Sequence, residues 1–141
     1  MGYTERFSER WALLAVINPA SHSTEQNAGA VSCANYSRVV AIIHCGVLGG
    51  DLDIDVEEAV TTTGALASFD AGGKDITKTA TTDDDTVSVI EIKGEEFTVV
   101  SAYDCINVEV TPAAAGIFGV QIWGLADFPP ASTTNLDTVT D

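Results

Sequence analysis

The residues whose type and spacing most invite chemistry are Asp51, Asp53 and Asp55, three carboxylates at alternate positions. A DxDxD run opens the calcium loop of an EF-hand, but that loop requires glycine at its sixth position and a bidentate glutamate at its twelfth. Here those positions hold Val56 and Thr62. The intervening Leu52, Ile54 and Val56 instead make a period-2 pattern, which puts the aspartates on one face of a strand about 7 Å apart. Carboxylates so spread do not converge on one ion, so the pattern reads as a solvated acidic face. Asp83, Asp84 and Asp85 form a second acidic run, in a loop composition that reads as solvated turn residues.

Nucleophile and base pairs are no better supported. His22 and His44 are the two histidines. His44 adjoins Cys45 in an apolar run, and neighbours in a strand point to opposite faces, so the two do not form a dyad. His44 reads as a core or interface histidine with a satisfied hydrogen bond, and His22 lies in a Ser-rich loop without a nucleophile elbow. The glycines from Gly46 to Gly50 lack the Lys-Ser/Thr of a phosphate loop. Cys33, Cys45 and Cys105 are an odd set without CxxC spacing, which disfavours a disulfide framework and a zinc site and suits buried thiols made in a reducing cytoplasm. Asn35-Tyr36-Ser37 matches a glycosylation sequon without secretory context. No catalytic, metal-binding or cofactor-binding residue is assigned, and no cofactor is expected.

Contacts are better represented than chemistry. Arg6 and Arg10 bracket Phe7 and precede Trp11 in an otherwise acidic chain, where they could pair with a neighbour's carboxylates while the rings anchor. Equally, Phe7 and Trp11 could simply close one end of a core with the arginines solvated. Trp123 has the opposite parity to Val120 and Ile122, so its strand is apolar on both faces and is either covered twice or meets another subunit. With Phe128, Pro129 and Pro130, these residues form the candidate interface.

Length and charge bound the rest. The 141 residues are 45% hydrophobic, enough for one ordinary domain. A formal charge of −15 makes nucleic acid and anionic membrane poor partners. The apolar residues 11–17 are flanked by Glu5 and Glu9 and are too short for a secretory signal or a span, so a soluble chain is expected.

The elements that must position these residues are strands. Residues 11–17 make the first, ended by Asn18-Pro19, and a polar loop follows over 21–29. Residues 30–33 pair briefly. Residues 38–47 form an apolar strand without a polar face, and Gly49-Gly50 turns it into the alternating strand 51–60 as a β-hairpin. A short strand at 75–79 lies between two loops. Residues 86–92 switch parity between Val87/Val89 and Ile90/Ile92, which implies a bulge or burial on both faces. GEEF at 94–97 is a turn, one helical turn, or the start of a strand at 97–101. Strands at 105–110 and 117–125 complete the set. The organisation expected is an N-terminal arm (1–10), a single domain (11–126) and a polar C-terminal tail (127–141). The fold expected is an all-β antiparallel sandwich, jelly-roll-like, with extended arms.

Taken together, ERWALLAVINPAS, NYSRVVAIIHCGVLGGDLDIDVEEAVTTTGA, KDITKTAT, EIKGEEF and YDCINVEVTP...GVQIWG resemble the small virion structural proteins of tailed bacteriophages, over most of residues 5–130. The resemblance is carried by strand grammar and brings no catalytic residues. It implies a capsid decoration or cement protein, made in the bacterial host cytoplasm and bound to the outer capsid surface of the virion. Its partners would be the major capsid protein and itself, as a homo-oligomer with a trimer favoured. The alternatives are a tail or head–tail connector protein, and a glycan-binding module using Tyr36, Tyr103 or Trp123. An enzyme is the weakest class.

Overall fold

A computed structural model describes residues 7–69, 74–97 and 104–126. The candidate interface residues Arg6, Phe128, Pro129 and Pro130, the tail 127–141, Tyr103 and most of the expected strand 97–101 lie outside the described residues.

The chain forms an antiparallel β-sandwich of jelly-roll type. The front sheet holds β1 (Trp11–His22), β10 (Gly116–Ala126), β4 (Tyr36–Leu48) and β8 (Val87–Lys93), in that order. The back sheet runs β2 (Gln26–Asn27), β9 (Cys105–Pro112), β5 (Leu52–Ala59), β6 (Ala67–Ser68), with β3 (Val31–Ser32) also on β9 and β7 (Ile76–Lys78) also on β5. The links β1 to β2, β3 to β4, β4 to β5 and β7 through β10 all cross between the sheets, which is the winding of a jelly roll. The core lies between the inner faces. Val39, Ala41 and Ile43 of β4 and Phe118, Val120 and Ile122 of β10 meet Leu52, Ile54 and Val56 of β5 and Ile106, Val108 and Val110 of β9, all buried. Phe69 and Phe97 close the core with an edge-on ring contact at 5.4 Å.

The expected hairpin across Gly49-Gly50 is not formed, although both of its strands are. β4 pairs with β10 and β8, whereas β5 pairs with β9, β6 and β7. Two-residue hairpin turns need positive φ, and Gly29 is the one glycine with positive φ among the described residues. Gly49 and Gly50 serve a close approach instead. Gly49 N donates to Ala115 O at 3.0 Å. A Cβ on Gly49 would collide with that carbonyl, and one on Gly50 would lie 2.8 Å from Ala114 N. The 49–51 and 113–115 crossings are thus packed backbone to backbone.

Other boundaries shift for local reasons. β1 does not stop at Asn18-Pro19 but continues to His22, because it is an edge strand and its register shift between Ile17 and Ala20 absorbs the proline. The expected polar loop 21–29 therefore loses its first residues to β1 and contains β2. β8 has neither bulge nor double burial: its register with β4 is continuous from Arg38↔Lys93 to His44↔Val87. Ile90 and Ile92 face the core, while Val87 and Val89 face out, 58% and 60% exposed. The described part of the N-terminal arm is a helical turn, α1 (Phe7–Arg10), rather than extended chain. The i, i+4 spacing of Phe7 and Trp11 stacks their rings on one side of that turn. GEEF is a 3-10 turn over Gly94–Glu96, with Glu96 accepting from the Lys93 backbone N–H at 2.7 Å. The open edge of β8 is partly covered by Lys74, whose Nζ donates to Glu91 O at 2.7 Å and pairs with Glu96 at 2.8 Å.

The crossing geometry makes a sharp contrast between two glycines. Gly49→Ala is expected to cost about 1–3 kcal/mol, as overpacking does, in urea unfolding, whereas Gly94→Ala, with nothing within 4 Å of the added Cβ, should be close to neutral. Equal effects at the two sites would contradict the packed crossing.

Candidate interaction surface

Alternation sends every second residue of the front sheet outward, and here that face is apolar. Val40 and Ile42 of β4, Trp123 of β10 and Val16 of β1 join Val87 and Val89 across four hydrogen-bonded strands. At one corner α1 folds over the sheet. Phe7 stacks on Trp11 at 6.0 Å and 12°, and meets Trp123 edge-on at 5.2 Å and 67°. A shallow groove of about 270 Å³ lies beneath, walled by Phe7, Trp11, Val40, Ile42, Gln121 and Trp123. Its polar tips satisfy each other: Trp123 Nε1 donates to Gln121 Oε1 at 3.1 Å. At one end of the face Arg38 pairs with Glu91 at 3.0 Å, and Lys93 lies next to them.

Of the candidate interface residues, the structure brings Phe7, Trp11 and Trp123 together, with Arg10 half-buried at the end of α1. Val40 and Ile42 make the second apolar face of the 38–47 strand, which the sequence leaves open between core packing and another subunit, whereas Val87 and Val89 were missed as surface residues. Their signal is in the sequence: the second apolar parity in 38–47 and in 86–92 is the outward face. His44 belongs to this surface too, exposed on β4 rather than in the core. His22 ends β1, its Nε2 3.0 Å from Asn18 O and its ring 4.8 Å from that of Phe118.

The back sheet presents the opposite chemistry. Asp53, Asp55 and Glu57 of β5 and Glu109 of β9 point outward side by side. Burial, then Asp75, then Asp53 raise the Asp55 carboxyl above its usual range. Burial, followed by Glu25, Glu57 and Asp55, does the same to Glu109. Asn107, 1% exposed, holds this face together, donating to Glu57 Oε2 and Asn27 Oδ1 at 2.7 Å each and accepting from Gly29 N at 3.0 Å. Two of the three DxDxD carboxylates take separate structural partners. Asp51 accepts from Ala80 N at 2.9 Å and Asp53 from Thr77 Oγ1 at 3.0 Å, securing β7 and its following turn.

The 83–85 run is more than a solvated turn. Asp83 accepts from Thr79 N at 2.8 Å and Asp84 from Leu48 N at 2.9 Å, while Asp85 takes a left-handed φ of 55°. Thus Asp84 fastens the loop before β8 to the end of β4. Among the described residues no three His, Cys, Asp or Glu side chains are grouped to hold a metal ion. The three thiols are free and buried; burial pushes Cys33 up to about 12 and Cys105 up to about 11, far from thiolate reactivity at neutral pH. Among the described residues no helix is long and apolar enough to cross a membrane.

These features define a two-faced jelly-roll sandwich. No protein-family model matches the sequence, and no curated protein matches it. Among solved structures, the chain is similar to a protein in the structure of infectious bursal disease virus Gx strain, with 11% identity and a TM-score of 0.41, covering 88% of this chain and 35% of that one. The chain therefore spans about a third of the length of that relative. It is similar to a chain of Triatoma virus, with 12% identity and a TM-score of 0.43, covering 89% of this chain and 70% of that one. It is also similar to a family 11 carbohydrate-binding module from Clostridium thermocellum, with 10% identity and a TM-score of 0.38, covering 89% of this chain and 93% of that one. Likenesses this distant carry nothing about function.

The acidic face yields a pH dependence of definite sign. Asp55 and Glu109 hold their protons more tightly in the folded than in the unfolded chain, so their contribution to stability falls as pH rises through their titration range. Asp55→Asn and Glu109→Gln should each melt at a higher temperature than wild type at neutral pH, by a margin that shrinks as pH is lowered into the ordinary carboxylate range. Glu96 runs the other way. The hydrogen bond from Lys74, with that from the Lys93 backbone, holds it below its usual range. Glu96→Gln should therefore lower the melting temperature at neutral pH and lose its effect on acidification. Calorimetry across pH checks both signs.

Proposed function

We propose that this chain is a non-enzymatic structural protein of a tailed-phage virion, a decoration or cement protein that binds the outer surface of the head. The observation that carries this reading is the division of the sandwich into an apolar outer face and an acidic one. Such a body suits adhesion. The sequence resemblance supplies the virion context, and the acidic face suits a location outside the shell rather than against packaged DNA.

The principal partner on this reading is the major capsid protein. Trp11 pairs with Leu125, and Tyr36 with Ala126, so the start of β1 and the end of β10 lie at the same end of the front sheet. Engaging two neighbouring capsomers links two weak contacts, which raises avidity without enlarging either. Arg6, Arg10, Phe128, Pro129 and Pro130 are the residues we assign to that engagement. Synthesis in the bacterial cytoplasm agrees with three buried cysteines that form no disulfide.

The aromatic corner also invites a glycan reading. Sugar sites combine a stacking ring with convergent donors and acceptors, whereas here the Trp123 N–H and the Gln121 carbonyl oxygen are spent on each other.

Heads assembled without this protein provide the test. Purified protein should bind them to saturation at near-physiological salt and raise their disruption temperature. Failure to bind, or assembly of the protein into rings or tubes on its own, would overturn the cement reading, the latter in favour of a connector or tail component.

A further inference from the structure

We propose that the outer face of the front sheet is a self-association surface, on which a second copy of this chain packs face to face about a twofold axis. The inference does not depend on the virion reading. It starts from the distribution of apolar and charged groups over the sandwich.

Eight large hydrophobic side chains are exposed among the described residues, and five of them, Phe7, Val16, Val87, Val89 and Ile117, belong to this one face. They are contiguous with half-buried Val40, Ile42 and Trp123. Scattered exposed aliphatics need no explanation, but a continuous apolar sheet face does. The chain's charge then selects the occupant. Each copy carries −15, so two copies repel over most of their surfaces. On the outward positions of β1, β4, β8 and β10, however, the ionised side chains are Arg38, Lys93 and Glu91, with Glu91 already neutralised by Arg38. The back sheet carries Asp53, Asp55, Glu57 and Glu109 on its outward positions. Front-to-front packing is therefore the arrangement in which two copies bury apolar surface while their acidic faces point away from each other. Front-to-back packing would bury unpaired carboxylates, and back-to-back packing would oppose them.

Area sets the strength. Four strands about 4.8 Å apart, each contributing about seven residues at about 3.4 Å, present about 500 Å² per copy. The total, about 1,000 Å², sits at the lower limit for a specific contact, so the dimer is weak, concentration-dependent and strengthened by salt. Isologous pairing with strands antiparallel across the contact sends the two Arg38 and Lys93 ends to opposite edges. This contact is twofold, unlike the threefold arrangement that the sequence resemblance implies.

Sedimentation equilibrium of the full chain over a concentration series tests the proposal, using wild type, the double variant Val87→Glu/Val89→Glu, and Asp53→Asn as a control on the opposite face. Wild type should show a monomer–dimer equilibrium with a dissociation constant between about 1 and 100 µM, as a small interface gives, tightening as salt rises. The double variant should weaken it about tenfold or more by opposing desolvated charges, with a monomer melting curve that still shows a folded sandwich; Asp53→Asn should leave it intact. A wild-type chain monomeric throughout the series overturns the proposal, as does a trimer. So does a dimer that survives the folded double variant. If the double variant fails to fold, Val89→Thr is measured instead, and an unchanged dimer there overturns it as well.

Discussion

Everything in this molecule depends on β4 and β5 lying in opposite sheets with their buried faces pressed together. Val39, Ala41 and Ile43 on one side and Leu52, Ile54 and Val56 on the other are all within 2% of complete burial. Fully burying an aliphatic side chain of this size contributes about 1.5–3 kcal/mol, so this seam and its extension into β9 and β10 dominate the stability. Once these inner faces are committed to the core, the alternation of the strand leaves the outer faces no freedom: Val40 and Ile42 must face out on the front, and Asp53 and Asp55 must face out on the back. The two surfaces of the protein are thus a by-product of one packing decision.

That decision was the part hardest to see in the sequence. The alternation of 51–56 and of 105–110, the short strand at 75–79 and the buried thiols were legible because each depends on local pattern. Whether Gly49-Gly50 joins partners in one sheet or crosses between two was not legible, since glycine serves both a positive-φ turn and a close backbone approach. The answer lies in Ala114 and Ala115, which are distant in sequence. Pro19 misled for a related reason: it forbids a central strand but is tolerated at an edge, and edge position is a property of topology. Val87 and Val89 looked like a fault in the pattern because outward positions were expected to be polar. They are regular, and the irregularity is in the surface they make. Asp83 and Asp84 read as merely solvated in the sequence because hydrogen bonds to backbone groups, including one on the far end of β4, leave no trace in composition.

The electrostatics follow the same division. A chain with so many carboxylates could place them evenly, yet the back sheet concentrates them, and burial first and neighbouring carboxylates second make Asp55 and Glu109 resist ionisation, while the front sheet remains almost free of acidic groups. Crowding of this kind costs stability, and Asn107, which donates to Glu57, and Asn27, which hydrogen-bonds Glu109, offset part of it locally. What results is a body with one acidic surface and one largely apolar surface.

The central claim, that β4 and β5 lie in opposite sheets, is tested most directly by cross-strand nuclear Overhauser contacts between backbone protons in solution. The account predicts contacts joining Val40 to Trp123 and Val56 to Val108, with none running along β4 and β5 as a ladder. A continuous β4–β5 ladder radiating from Gly49 and Gly50 would contradict it.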